Sequence, residues 1–163
     1  MTSRCPPATA SDRRMEPTTA EGTDPMPRIA ARVLVVDDDH DTADLVRTVL
    51  ALAGHAVTAI AERDPDAIRA AVVAARPDCV LLDGEAPGEY GASWSIAGWL
   101  AALPVPTIMC TGSERAAREA RESASVRSRD ARFAAVLLKP FELDELVRAV
   151  TAAVARPAAP DGA

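Results

Sequence analysis

Apolar and polar positions alternate in blocks along most of the chain, and each block has a recognisable period. ARVLVV is a short β-branched run, and DTADLVRTVLALAG follows with helical spacing (Leu45, Val49, Leu52) and Gly54 as a stop. HAVTAI reads as a second strand. DPDAIRAAVVAAR reads as a helix, with Asp64 as N-cap and Pro65 in the first turn. DCVLLD is a third strand, broken at once by GEAPGEYG, a loop by composition. SWSIAGWLAAL is a short helix, VPTIMC a fourth strand and ERAAREARE a charged helix. AAVLLK is a fifth strand, and FELDELVRAVTAAVA is the last helix.

These are five strand–helix units. The strands are apolar throughout instead of alternating, as expected when both faces of a sheet are covered. Right-handed crossovers then give an α/β fold, a five-stranded parallel sheet with helices on both faces. Residues 1–27, rich in Pro, Thr, Ser and charge, are expected to be a disordered tail. The folded domain is expected over 28–156, with a short Pro/Ala tail at 157–163. Met26 opens MPRIAARVLVV, and we hold as a hypothesis that it is the native start; intact mass from the native host decides this.

Composition narrows the function classes. The 163 residues suit one domain. A formal net charge of −6 argues against broad binding to nucleic acid or to anionic membranes. No apolar run approaches a membrane span, and no signal core opens the chain, so a cytoplasmic location is expected. Aromatics make up 3% of residues, which leaves Val, Leu, Ile and Ala to build the core. The three cysteines have no metal-ligand spacing; Cys79 and Cys110 read as reduced core thiols and Cys5 lies in the tail. Trp94 and Trp99 read as packing residues, and His40 and His55 as exposed or loop residues.

In parallel sheets ligands bind beyond the carboxyl ends of the strands. Those ends read VVDDDHD, LLDGEAPG, MCTGS and LLKPF. Asp37, Asp38, Asp83, Thr111 and Lys139 would therefore face one edge. Clustered carboxylates need a cation or shifted protonation. A hard-oxygen set with room for water suits Mg²⁺, and without His or Cys it does not suit zinc. Lys139 is the only lysine in the chain, among seventeen arginines (18 Lys+Arg less one). A compact ammonium there suits a phosphoryl oxygen in a way that the planar arginine fork does not. Each residue alone has a plainer reading: Asp37, Asp38 and Asp39 as an acidic helix start, Asp83 as a loop residue, Thr111 as a helix cap in competition with Ser113. The four segments in order, each at a strand end, outweigh those readings.

From about Arg28 to Arg156 the chain resembles a response-regulator receiver domain of two-component signalling, through VLVVDDD, LLDGEAPGEYG, PTIMCTG and LLKPF. The resemblance implies a flavodoxin-like doubly wound sheet of order 2-1-3-4-5. It implies Asp83 as phosphoacceptor, and Mg²⁺ on Asp38, Asp83 and the backbone carbonyl of Glu85, with Asp37 acting through a coordinated water. Lys139 would stabilise the transferring phosphoryl group, Thr111 would bind a phosphoryl oxygen, and the Lys139–Pro140 bond would be cis. The implied donor is a histidine kinase or phosphotransfer protein, and the implied output is binding of a downstream protein, with a homodimer allowed. Such a domain is no enzyme beyond its own phosphorylation and dephosphorylation.

The chain departs from the family at three places. Val136 stands where receivers often carry a switch aromatic. The interval from Thr111 to Lys139 is longer than usual, with the excess in RESASVRSRDAR. Glu85 adds a carboxylate two residues after Asp83. After Lys139 there is room for one helix and a tail, so output is expected through a partner and not through direct nucleic-acid binding. Two other readings compete. One is a receiver fold that works as a phosphorylation-independent interaction module. The other is a haloacid-dehalogenase-like phosphatase, whose D-x-D-x-[TV] pattern Asp37 and Asp39 begin and Asp41 breaks.

Overall fold

The computed structural model describes residues 30–84, 92–122 and 124–156. Both expected tails, Met26, and most of the GEAPGEYG loop with Glu85 lie outside the described residues. Five strands form one parallel sheet: β1 (Arg32–Val36), β2 (Ala56–Ile60), β3 (Cys79–Asp83), β4 (Thr107–Thr111) and β5 (Ala135–Leu138), in the order β2-β1-β3-β4-β5. Six helices are described: α1 (His40–Leu52), α2 (Pro65–Ala75), α3 (Ala92–Leu100), α4 (Glu114–Arg121), α5 (Val126–Ala131) and α6 (Leu143–Ala155). No described helix is long and apolar enough to cross a membrane.

The central strands β1, β3 and β4 are buried on both faces, as their composition requires, while the edge strands β2 and β5 are only partly covered. On one face Val33, Val35, Leu81 and Ile108 pack with Val46 and Leu50 of α1 and Leu146 and Val150 of α6. On the other, Leu34, Val80, Leu82 and Met109 pack with Ile68 and Val72 of α2, Ile96 and Leu100 of α3, Ala120 of α4 and Ala131 of α5. Cys79 and Cys110 are buried free thiols, and burial pushes both up to about 12, so they are protonated core groups.

Local signals place the helix ends. Asp64 caps α2, its carboxylate accepting from Ala67 N at 3.0 Å, with Pro65 in the first turn. Gly54 follows α1 at φ 96°, a conformation that glycine enters without a Cβ clash. Three expectations change. Leu45 and Leu52 are 57% and 80% exposed, and the buried stripe of α1 is Ala43, Val46 and Leu50. His55 is buried, and its Nδ1 accepts from Ala31 N at 3.3 Å. The long interval before Lys139 forms a second helix, α5, capped by Ser125. It packs on α3 through Ala131 and through an edge-to-face pair of Phe133 and Trp94, centroids 5.4 Å apart.

Candidate functional site

β1 and β3 are hydrogen-bonded neighbours in the sheet, and so are β3 and β4, and β4 and β5. Their carboxyl ends therefore deliver residues distant in sequence to one edge. Asp37 follows β1, Asp83 ends β3, Thr111 ends β4 and Lys139 follows β5. Asp37, Asp38 and Asp83 each bring a carboxylate oxygen to within 4.8 Å of the others. At that spacing two unit charges repel by roughly 1 to 3 kcal/mol at effective dielectrics of about 80 to 20.

The plainer readings of these residues are taken up by their neighbours. Asp39 is the N-cap of α1, accepting from Thr42 N at 2.8 Å. Ser113 is the N-cap of α4, accepting from Ala116 N at 3.2 Å. Asp37, Asp38 and Thr111 thus cap neither helix. Asp37 is buried, and its Oδ1 accepts from Asp39 N at 3.0 Å, which fixes the carboxylate beneath the turn. Thr111 is fully buried and its Oγ1 accepts from Ser113 N at 3.1 Å.

Lys139 Nζ lies between two of the acids, 2.7 Å from Asp37 Oδ2 and 3.2 Å from Asp83 Oδ1. Burial disfavours its charge, but the Asp37 hydrogen bond and the charges of Asp83 and Asp37 outweigh that, and its pKa is raised. The backbone holds the lysine as well: Lys139 N donates to Thr111 O at 2.7 Å, and the Lys139–Pro140 bond is cis, as expected. Gly84 N donates to Cys110 O at 2.7 Å. A Cβ on Gly84 would stand 2.9 Å from Thr111 Cβ, so this turn passes close to β4 because it lacks a side chain.

A shallow open cleft lies over the acids, lined by Asp37, Asp38, Glu62, Arg63, Asp83 and Ser93 among others. The donor set fits Mg²⁺: three convergent carboxylates, no nitrogen or sulfur ligand in the described cluster, and an opening for water. Asp38 and Asp83 are the side chains that would hold it. The third protein ligand implied by the family resemblance, the Glu85 carbonyl, lies outside the described residues. Val136 is half-buried in β5, packed against the α2–α5 face, and its carbonyl accepts from Arg121 Nη2 at 3.0 Å.

One residue of the site is absent from the sequence reading. Arg63 forms an ion pair with Asp38 Oδ2. It lies just past β2, the one strand end that contributes nothing to the four-segment pattern, and the stretch AERD carried that signal.

The topology, the paired lysine and the acidic edge can be set beside known proteins. The family model for the response regulator receiver domain matches residues 33–151. No curated protein matches the chain. Among solved structures, NtrX from Brucella abortus, in a complex with ATP, is 26% identical over 77% of this chain with a TM-score of 0.60. The match covers 27% of NtrX, so this chain spans about a quarter of that protein. The receiver domain of a modulated diguanylate cyclase from Desulfovibrio desulfuricans G20 is 24% identical over 77% of this chain and 94% of its own, TM-score 0.62. A CheY-like receiver domain protein from Methanospirillum hungatei JF-1 is 22% identical over 77% of this chain and 94% of its own, TM-score 0.62. These last two share the fold, and with the family match over most of the described residues they make this chain a member of the response regulator receiver domain family of two-component signalling.

Proposed function

We propose that this receiver domain accepts a phosphoryl group on Asp83, with Mg²⁺, and signals by binding a partner protein. The observation that carries this reading is Lys139 Nζ held between Asp37 and Asp83 at the mouth of a three-carboxylate cluster. A carboxylate so placed can act as a nucleophile. An Asp83 oxygen attacks the phosphorus of a phosphohistidine on a histidine kinase or phosphotransfer protein. The new O–P bond makes an acyl phosphate, the N–P bond breaks, and the imidazole leaves. Bound Mg²⁺ would neutralise phosphoryl charge and orient its oxygens.

This chain's own residues do the rest. Lys139 is pre-placed as a cation for a phosphoryl oxygen, and its raised pKa keeps it charged at neutral pH. Asp37 anchors the ammonium from below and is placed to act through a coordinated water. Thr111, with its backbone bonded to Lys139 N, is placed to donate its hydroxyl to the phosphoryl group. Output at Val136 needs a route other than a swinging aromatic ring. The phosphorylation-independent module is the second reading, and this half-buried valine, tied to α4 through Arg121, is the observation in its favour.

The test is intact mass after incubation with a small-molecule phosphodonor, with and without Mg²⁺, beside Asp83→Ala. One added phosphoryl group that needs both Mg²⁺ and Asp83 is expected. No uptake by folded, Mg²⁺-binding protein would overturn phosphoacceptance and leave the interaction module.

A further inference from the structure

We propose that Arg63 is a built-in counter-ion that competes with Mg²⁺ for Asp38, so that the metal enters only as the guanidinium leaves. This deepens the Mg²⁺ reading above and rests on it. Three carboxylates at the site carry three negative charges, and each accepts a cation of the described chain. Lys139 serves Asp37 and Asp83, and Arg63 serves Asp38. The metal needs the Asp38 carboxylate that Arg63 holds. With Mg²⁺ on Asp38 and Asp83, the metal takes over the Asp38 carboxylate and repels a guanidinium held beside it.

The β2–α2 turn presents Arg63 for this role. Glu62 Oε1 accepts from both Arg63 N at 2.8 Å and Asp64 N at 3.0 Å, which folds the turn tightly. Asp64 next to it is committed to capping α2. Asp37 N donates to Ile60 O at 3.2 Å, so the end of β2 is fastened to the same edge. Arg63 thus leaves a fixed backbone and reaches Asp38 across the cleft. Its side chain is 56% exposed while that of Asp38 is 20% exposed, so the arginine can swing into water and the carboxylate stays. An ion pair this open stabilises weakly, which makes it displaceable.

Calorimetric titration of the full chain with Mg²⁺ alone, at low ionic strength, tests this. Arg63→Gln keeps much of the stem and removes the charge. Arg47→Gln, which breaks the exposed Arg47–Asp44 pair on α1, controls for a general change of charge. Arg63→Gln should bind Mg²⁺ roughly threefold or more tighter than wild type, with Arg47→Gln within about threefold of it. A smaller gain for Arg63→Gln, or an equal gain for Arg47→Gln, overturns the competition and leaves the metal site standing. Absence of Mg²⁺ binding in both wild type and Arg63→Gln, with native circular dichroism, overturns the metal reading and this inference with it.

Discussion

His55 sits between α1 and β2, buried, with Nδ1 accepting the Ala31 N–H at 3.3 Å. Burial lowers its pKa from 6.5, so the folded state resists a proton that the unfolded chain takes up. Above the unfolded value the residue is neutral in both states and costs nothing. As pH falls below it, stability drops until the lowered folded value is passed. Urea unfolding at about pH 7.5 and about pH 5.5 should show this loss in wild type, and His55→Gln should lose less over the same interval. Equal losses would place the acid sensitivity elsewhere. Gly84 supports a second prediction. Gly84→Ala puts a Cβ 2.9 Å from Thr111 Cβ and 3.2 Å from Met109, and overpacking there should cost about 1–3 kcal/mol of unfolding free energy. On the proposed function it should also slow phosphoryl uptake at Asp83 by displacing Thr111, and unchanged thermal stability would refute the close approach. At this scale the acids, the lysine and the threonine were legible because each ends a strand. Leu45 and Leu52 were misjudged because α1 carries two interleaved apolar stripes. The stripe begun by the small Ala43 wins, and a residue's size does not say which stripe faces the sheet.

The five strands and the helices α1 to α4 and α6 match segments read from the sequence; α5, between α4 and β5, does not. VRSRDA has no apolar repeat, so α5 was invisible as a helix. Its supports are local and tertiary: the Ser125 cap, an Arg132 end at φ 46°, and one buried alanine, Ala131. Ser128 Oγ donates to Ala120 O at 2.8 Å and ties α5 back to α4. Phe133, just ahead of β5, closes the unit against Trp94 of α3. Phe133→Ala should therefore cost about 2–3 kcal/mol and shift the Trp94 emission, because it removes the ring contact and part of the α3–α5 packing. A stable variant with unaltered tryptophan emission would mean that α5 does not brace α3. The same region holds Arg121 on the Val136 carbonyl, so the helix pair is bonded to the edge strand at the position where an aromatic ring would otherwise report. The sequence marked the missing aromatic, but it could not show the bond, which runs from the Arg121 side chain to the backbone carbonyl of a residue fifteen positions on, whatever that residue's side chain.

Across the whole molecule, parallel topology places groups from four separate strand ends at one edge, and Lys139 bonds residues 102 and 56 positions away. That edge was legible because every strand of a parallel sheet delivers its carboxyl end to the same side, with the strand order implied by the family resemblance, whereas which cation answers which carboxylate depends on side-chain reach. The arrangement couples global stability to the charge of one lysine. Its folded pKa is raised above 10.5, so its contribution is fully present below the unfolded value and is lost as pH rises through the folded one. At neutral pH, Lys139→Met leaves the buried Asp37 without this partner and should cost roughly 1–3 kcal/mol. Wild type should then lose stability in the alkaline window that opens at about pH 10.4, by an amount that Lys139→Met does not show. Other groups that titrate in this range act on both proteins, so the difference between the two unfolding curves isolates the lysine. If the two curves run parallel through that window, the ammonium does not hold the strand ends together, and its place between Asp37 and Asp83 adds nothing to the stability of the fold.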